Sequence, residues 1–167
     1  MENTDIPQFR TYRGKIELEG VVIQVDIFVD NEMLEDRNSF LISFLCKSNT
    51  IYEMICRNIS KSKEYYVFVL PVDKEVDLKK AAHVVGEKSL AMVHVKDIQA
   101  VTGYIRGGCT SIGMKKKYRT VIHESAREWD TVIVSGGRLG SQILLSPDDL
   151  VKAVDGEMAD IVFCENK

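Results

Sequence analysis

Two glycine-rich stretches contain the residue types best suited to hold an anion. The first is TGYIRGGCTSIGMKKK, from Thr102 to Lys117, in which four glycines precede three consecutive lysines. The second is SGGRLG, from Ser135 to Gly140. Glycine adopts backbone conformations in which successive N–H groups converge, so each stretch can form a nest for an oxyanion or a phosphate.

Common nucleotide and hydrolase motifs do not explain these stretches. Lys115 lacks the spacing of a phosphate-binding P-loop, no G-x-G-x-x-G opens a helix, and the chain contains no G-x-S-x-G elbow. Three scattered histidines offer no specific base for Ser111 or Ser135. Cys109 could be an activated thiol, but a lone loop cysteine is more often a bystander than a nucleophile. Nucleotide hydrolysis and serine hydrolase chemistry are therefore excluded.

A basic segment adjoins the first stretch. Arg106 lies within it, three lysines at 115–117 end it, and Arg119 follows. The formal net charge of -3 and the pI of about 5.7 argue against a uniformly basic surface for nucleic acid. The segment is therefore either an ordinary solvated face or a local contact for a polyanion.

Length and composition indicate one globular domain. The chain has 167 residues, of which 45% are hydrophobic and 28% charged. Four cysteines without a C-x-x-C pair, and a polar N-terminus without a signal peptide, favour a reducing cytoplasm. The apolar run VVIQVDIFV is interrupted by Gln24 and Asp26, so we expect no membrane span. The histidines lack zinc-ligand spacing, and we expect no metal or other cofactor.

Strands and short helices alternate before the first glycine stretch. Apolar alternation predicts a strand over Val21–Val29, and YYVFVL predicts a strand that ends at Pro71. A helix is predicted over Leu78–Val85, with Asp77 as N-cap and Gly86 as left-handed C-cap. LAMVHV is the next predicted strand. The apolar runs FLISFLC and IYEMIC are too short to assign from periodicity.

The glycine stretches themselves connect predicted elements. A short helix over Lys96–Val101 ends at Gly103 and leads into the first stretch. The strands TVIH and TVIVS follow, and QILL is reached through the second stretch. A final helix has Ser146 as N-cap, Pro147 in its first turn and Gly156 as terminator. This order predicts a mixed α/β domain.

From Ile51 to the C-terminus the chain resembles the YbaK/EbsC family. The motifs DLKKAA, TGYIRGG, SIGMKKK, TVI, VSGG and ADI occur in the family's order. Family members are free-standing relatives of the editing domain inserted in bacterial prolyl-tRNA synthetases. The resemblance implies a mixed, partly barrel-like β-sheet flanked by helices. Residues 51–167 would form the deacylase core and residues 1–50 a divergent part of the same single domain.

The resemblance also implies an enzyme that removes the amino acid from mischarged tRNA, typically cysteine from proline tRNA, without a metal or cofactor. The substrate's own thiol attacks the ester carbonyl, and the protein positions the adenosine end and stabilises the oxyanion. The implied partner is the 3′ aminoacyl-adenosine end of a charged tRNA. Relatives differ in whether prolyl-tRNA synthetase is a second partner.

The resemblance implies specific residues for the pocket that binds the charged tRNA end. Gly107 corresponds to the glycine that begins the family's G-x-x-x-P pocket motif, and Tyr12 to a functional tyrosine at a strand end. The other implied residues are Gly108, Ser111, Ser135, Gly136, Gly137 and Gln142 for the substrate, and Lys115, Lys116 and Lys117 for tRNA phosphates.

Two pocket positions depart from the family pattern. Glu53 stands where the family has a pocket lysine, and such a charge reversal close to an oxyanion can cost several kcal/mol. Ser111 replaces the proline of the pocket motif, so the loop loses a fixed backbone angle. Cations that could substitute for the lysine are Lys47, Arg57 and Lys61.

Two functional classes follow from these residues. One is an editing deacylase that works without the family lysine. The other is a module that binds an aminoacyl-adenosine end, or another small anion, without turnover because Glu53 has replaced the cation. A third interpretation is a folded remnant whose motifs serve only packing.

Overall fold

The computed structural model describes residues 9–18, 21–30, 51–58, 64–139 and 141–163. The elements in chain order are β1 (Phe9–Leu18), β2 (Val21–Asp30), β3 (Ile51–Asn58), β4 (Tyr65–Pro71), α1 (Leu78–Val85), β5 (Leu90–Met92), α2 (Val95–Thr102), β6 (Arg119–His123), a 3-10 helix (Glu124–Glu128), β7 (Val132–Ser135), β8 (Ser141–Leu145), α3 (Pro147–Val154) and β9 (Glu157–Ala159).

Four strands form an antiparallel sheet in the order β1-β2-β8-β7. β1 and β2 are paired along their whole length, which confirms the strand predicted from Val21. β7 and β8 are also antiparallel neighbours, and Ser135 lies opposite Gln142 at their shared end. The second glycine stretch is therefore the turn of a β-hairpin.

The other five strands form a mixed sheet in the order β5-β3-β4-β6-β9. β3 is antiparallel to β4 and β5, whereas β6 is parallel to both β4 and β9. IYEMIC, unassigned from the sequence, is strand β3. The run FLISFLC lies outside the described residues. β3 lies against β7, where the two sheets meet.

Strand β4 is buried on both faces, which explains its unbroken apolar sequence. Val67 and Val69 belong to the core cluster between the two sheets, which also contains residues of β7, β8 and α3. Phe68 and Leu70, on the opposite face, pack in a second cluster with α1. Alternating side chains of one strand thus hold the two layers of the core together.

The helix ends follow the sequence closely. Asp77 caps α1 by accepting hydrogen bonds from the N–H groups of Lys79 and Lys80, at 2.9 and 3.2 Å. Gly86 ends α1 and Gly103 ends α2, both in the left-handed conformation. These predicted boundaries are confirmed within one residue.

The end of α3 differs from the prediction. The left-handed C-cap is Asp155, with φ of 49°, and not Gly156. Gly156 follows the cap and packs closely on β6, because a Cβ atom there would lie 3.1 Å from the Thr120 carbonyl oxygen. The glycine is therefore required for close approach and does not supply the left-handed residue that ends the helix.

The described elements form a single mixed α/β domain with three α-helices beside the sheets, as the sequence predicted. The division at residue 50 stays a prediction. No helix within the described ranges has the length and apolarity needed to cross a bilayer.

Candidate functional site

The first glycine stretch begins on a rigid base at the end of α2. Thr102 is fully buried, and its Oγ1 donates to the Ile98 carbonyl at 2.9 Å and accepts from the Tyr104 N–H at 3.0 Å. Gly103 has φ of 86°, so the chain turns sharply away from the helix. The loop is thus fixed at its start by buried hydrogen bonds.

Tyr104 organises the rest of this loop. Its hydroxyl lies 2.9 Å from the carbonyl oxygens of both Ile112 and Gly113, so it bridges the two halves of the stretch. The edge of its ring lies 3.1 Å from the position that a Cβ atom on Gly137 would occupy. One aromatic side chain therefore contacts both glycine turns.

The two glycine turns meet backbone to backbone. A Cβ atom on Gly108 would lie 2.9 Å from Arg138 Cα and 3.3 Å from Arg138 N. A Cβ atom on Gly107, which has φ of 83°, would lie 2.9 Å from the end of the Leu139 side chain. The structure therefore brings the TGYIRGG and VSGG motifs into direct contact, and only glycine at position 108 permits this approach.

Several N–H groups in these turns already have partners. The Gly108 N–H donates to the Ile105 carbonyl at 3.0 Å, and the Gly136 N–H donates to the Ser141 carbonyl at 2.7 Å. The Gly137 N–H lies 3.4 Å from Ser135 Oγ, a long and weak hydrogen bond. Neither Gly108 nor Gly136 can donate its N–H to a ligand in this conformation.

The antiparallel sheet places other predicted residues relative to this contact. Gln142 lies directly across from Ser135. Tyr12 lies opposite Ile27 on β2, and Ile27 in turn lies opposite Ile143. Tyr12 therefore shares a row of the sheet with the residue that follows Gln142, and its side chain lies outside the described part.

Glu53 belongs to the other sheet. It lies opposite Val69 in the middle of the β3–β4 pair. Its side chain is outside the described part, but β3 lies against β7, the strand that ends at Ser135. The position of the family lysine is thus on the strand of the mixed sheet that contacts β7.

Ser111 and the three lysines lie elsewhere in the loop. Together with the last turn of α3 they line a cleft of about 450 Å³, whereas Gly107 and Gly108 face the hairpin turn. Ser111 is buried, with 7% of its surface exposed, and the lysines are exposed. The sequence-predicted residues therefore divide between two places on one loop.

The two cysteines that the structure describes differ in exposure. Cys109 is partly exposed, and its Sγ donates to the Ile105 carbonyl at 3.6 Å. Cys56 is fully buried, and burial raises the pKa of its thiol to about 12. Within the described ranges, no three His, Cys, Asp or Glu side chains converge to hold a metal ion.

Sequence reasoning missed three contributors to this site. Tyr104 lies within the TGYIRGG motif, where an aromatic residue among glycines could have indicated a packing role. Arg138 and Leu139 gave no signal, because their contacts with the first turn depend on the packing of two distant segments. Arg106 and Arg138 are both exposed residues of the two turns.

A family model agrees with this combination of fold and motifs. Residues 45–153 match the model of the aminoacyl-tRNA editing domain. The chain belongs to that family, and the resemblance to YbaK/EbsC proteins is confirmed.

One curated relative, from Enterococcus faecalis, is named "Putative Cys-tRNA(Pro)/Cys-tRNA(Cys) deacylase EbsC". It is 46% identical over 95 residues, which cover 57% of this chain and 58% of the relative. The match therefore spans less than two thirds of that relative's length.

Two solved structures share the fold. The "putative trans-editing enzyme for prolyl tRNA synthetase" has a TM-score of 0.64 at 20% identity and covers 70% of this chain and 72% of its own. A crystal structure of a hypothetical protein has a TM-score of 0.64 at 22% identity, over 70% of this chain and 75% of its own. At these identities the matches show the fold alone.

Proposed function

We propose that this protein is an aminoacyl-tRNA deacylase and that Cys-tRNA(Pro) is its substrate. The observation that carries the proposal is the backbone contact between Gly108 and Arg138, which unites the two glycine turns in a chain of the editing-domain family. The name of the 46% identical relative supports the choice of cysteine. Such an activity belongs where translation takes place, and we propose the cytoplasm.

We assign oxyanion stabilisation to backbone N–H groups at the two turns. Because the N–H groups of Gly108 and Gly136 are engaged, the assignment falls on Gly107 and on Gly137, whose N–H makes only a long, weak hydrogen bond to Ser135 Oγ. Both have positive φ, a conformation that glycine adopts without strain, and they belong to the two turns that meet at Gly108 and Arg138. Donors fixed near the developing charge lower the barrier without reorganising.

The proposed reaction uses the substrate's thiol as its nucleophile. The cysteine sulfur attacks its own ester carbonyl, a C–S bond forms, and the ester C–O bond breaks. The thiol proton ends on the released ribose oxygen, so the products are a cyclic thioester and tRNA with a free 3′ end. Tyr12, Ser135 and Gln142 are proposed to position the adenosine and the amino acid around this carbonyl, whereas Ser111 lies with the lysines in the separate cleft.

A binding function without turnover is the second candidate, and Glu53 is the reason. Its strand, β3, lies against β7. A carboxylate 4 Å from an oxyanion would oppose the reaction by about 4 kcal/mol at an effective dielectric constant near 20. If the side chain faces the turns, this protein binds a charged tRNA end or a small anion but does not cleave the ester.

The deciding experiment measures ester loss from Cys-tRNA(Pro) and Ala-tRNA(Pro) against a buffer blank. The unaltered protein is compared with Glu53→Lys and with the neutral variant Glu53→Gln, which separates loss of the anion from gain of a cation. Selective loss from Cys-tRNA(Pro) with the unaltered protein is the expected result. Activity only in Glu53→Lys would favour the binding function, and no activity in any variant would contradict both the deacylase assignment and this role of Glu53.

A further inference from the structure

The cleft beside the three lysines opens on the far half of the first glycine stretch. Its volume is about 450 Å³, and its walls are Ser111 and residues 113–118 of the loop, Thr120 of β6, and the C-terminal end of α3. The residues of α3 and its cap that line it are Lys152, Ala153, Val154 and Asp155. No pattern in the amino-acid sequence associates this helix end with the lysines at 115–117.

The cleft is strongly positive. Lys115, Lys116, Lys117 and Lys152 line it, and Asp155 is the one acid among its described lining residues, which together carry a net charge of +3. The whole chain has a formal net charge of -3. This concentration of positive charge at one cleft would attract a polyanion that the rest of the surface repels.

The ion pairs within the cleft are weak and can be exchanged. Lys117 Nζ lies 3.5 Å from Asp155 Oδ2, and these side chains are 58% and 81% exposed. Lys152 Nζ lies 3.3 Å from Asp149 Oδ1 one helical turn away. Exposed pairs of this kind contribute about 1 kcal/mol or less, so a phosphate can replace the carboxylate as partner.

The backbone that carries the lysines is held in place. The Lys115 N–H donates to the Thr102 carbonyl at 3.1 Å, and the Tyr118 hydroxyl donates to the Val101 carbonyl at 2.7 Å. Tyr104 adds its contacts with Ile112 and Gly113. A ligand therefore has to order only the lysine side chains, which reduces the entropic cost of binding.

One loop connects the two places. Gly107 and Gly108 contact the hairpin turn at the start of the loop, and Ser111 and residues 113–118 line the cleft farther along the same loop. A nucleic acid whose 3′ end reaches the glycine turns would bring its adjacent phosphates toward the lysines.

We propose that this cleft binds the sugar-phosphate backbone of tRNA next to its aminoacylated end. Lys152 is a tRNA-contacting residue together with the lysines at 115–117, and Asp155 opposes binding by competing for Lys117. The proposal rests on the proposed deacylase function.

The test compares two variants with opposite expected effects. Lys152→Ala should raise the KM for Cys-tRNA(Pro) several-fold and reduce the slope of log affinity against log salt by about 1, because one phosphate contact is lost. Asp155→Asn should lower the KM. Neither should change kcat, or the cleavage of 3′-cysteinyl-adenosine, which has no phosphate backbone.

Matched controls are Lys79→Ala and Asp73→Asn, which remove the same charges at exposed positions outside the cleft lining. Equal effects of the cleft and control variants on KM and on the salt slope would show that binding depends only on the net charge of the protein, and would overturn the proposal. Unchanged KM and salt slope in both cleft variants would overturn it while leaving the deacylase function intact.

Equilibrium binding of uncharged tRNA(Pro) separates the two proposals. If the unaltered protein shows no deacylation, the proposed function fails. The affinity for uncharged tRNA(Pro) should still be higher for Asp155→Asn, and lower for Lys152→Ala, than for the unaltered protein. Any other ranking would also reject the cleft as a tRNA site. Thermal melting of each variant checks that the fold is kept.

Discussion

At the scale of single residues, the two adjacent glycines of the first turn serve different needs. Gly107 has a positive φ and faces the movable end of Leu139, whereas Gly108 faces the backbone of Arg138. A side chain at position 107 has to overcome backbone strain of about 1–2 kcal/mol. A side chain at position 108 would force the backbones of the two turns to move apart.

We therefore expect Gly108→Ala to reduce deacylation of Cys-tRNA(Pro) more than Gly107→Ala does, at a comparable loss of stability of about 1–3 kcal/mol. Initial rates, together with urea unfolding of both variants, measure the difference. A Gly108→Ala protein that keeps the full rate would show that the close contact of the turns is not needed for activity.

The described cysteines provide another prediction at this scale. Because burial raises the pKa of Cys56 to about 12, its thiol should not react with iodoacetamide at pH 8 in the folded protein. Cys109 is partly exposed and should be modified. Mass spectrometry of peptides identifies the labelled positions, with urea-unfolded protein as the control.

The proposed mechanism needs no protein thiol, so Cys109→Ser should retain deacylation of Cys-tRNA(Pro). The assay is the initial rate of ester loss, and the unaltered protein is the reference. A rate reduced more than tenfold by this near-isosteric change would make Cys109 a participant and contradict the substrate-thiol mechanism.

At the scale of elements, the end of α3 shows how a local signal can be attributed to the wrong residue. Asp155 is the described non-glycine residue with positive φ, and Gly156 packs against β6. Asp155→Gly should raise the free energy of unfolding by about 1 kcal/mol, because glycine adopts this conformation without strain. The lost pair with Lys117 is exposed and contributes little.

Gly156→Ala should have the opposite effect. The new Cβ atom would lie 2.9 Å from Val154 Cγ2 and 3.1 Å from the Thr120 carbonyl oxygen, so β6 and the helix end must move apart. We expect a loss of about 1–3 kcal/mol, measured by urea unfolding beside Asp155→Gly. A neutral result at position 156 would mean that the glycine is not needed for close packing.

At the scale of the whole molecule, the C-terminal segment holds one edge of the mixed sheet to α1. Lys80 Nζ contacts Asp160 Oδ2 at 2.6 Å and donates to the Val162 carbonyl at 2.9 Å. The Ile161 N–H donates to His123 Nδ1 at 3.4 Å. These contacts join residues more than 30 positions apart in the sequence.

This connection predicts a pH dependence of stability. The hydrogen bond from Lys80 holds the pKa of Asp160 below its ordinary value of about 4. A carboxylate with a lowered pKa stabilises the fold above its ordinary value, and this contribution is lost as the pH falls from there through the lowered pKa. Stability should therefore decline on acidification in this range.

Asp160→Asn removes the titrating group, so its stability should be lower at pH 7 and should fall less between pH 5 and pH 3. Urea unfolding at each pH measures both effects, with Asp73→Asn as the control for an exposed acid. Parallel pH curves for Asp160→Asn and the unaltered protein would exclude this contribution.

The sequence by itself predicted most of the elements and the glycine turns between them, but it left β3 unassigned and ended α3 at Gly156 instead of Asp155. The caps at Asp77, Gly86 and Ser146 follow from hydrogen bonds and backbone preferences that act within a few residues, so a local pattern suffices to predict them. Family motifs likewise identified the two turns, although the roles of their residues stay predictions.

Only the tertiary structure decided which segments meet. The contact of Gly108 with Arg138, and the cleft that Lys152 shares with the distant lysines, depend on how two sheets and α3 pack. The tertiary structure also shows which N–H groups are already engaged in hydrogen bonds, such as the Gly136 N–H. These features arise from packing between distant segments, which compete for the same partners. A short stretch of sequence therefore cannot predict them.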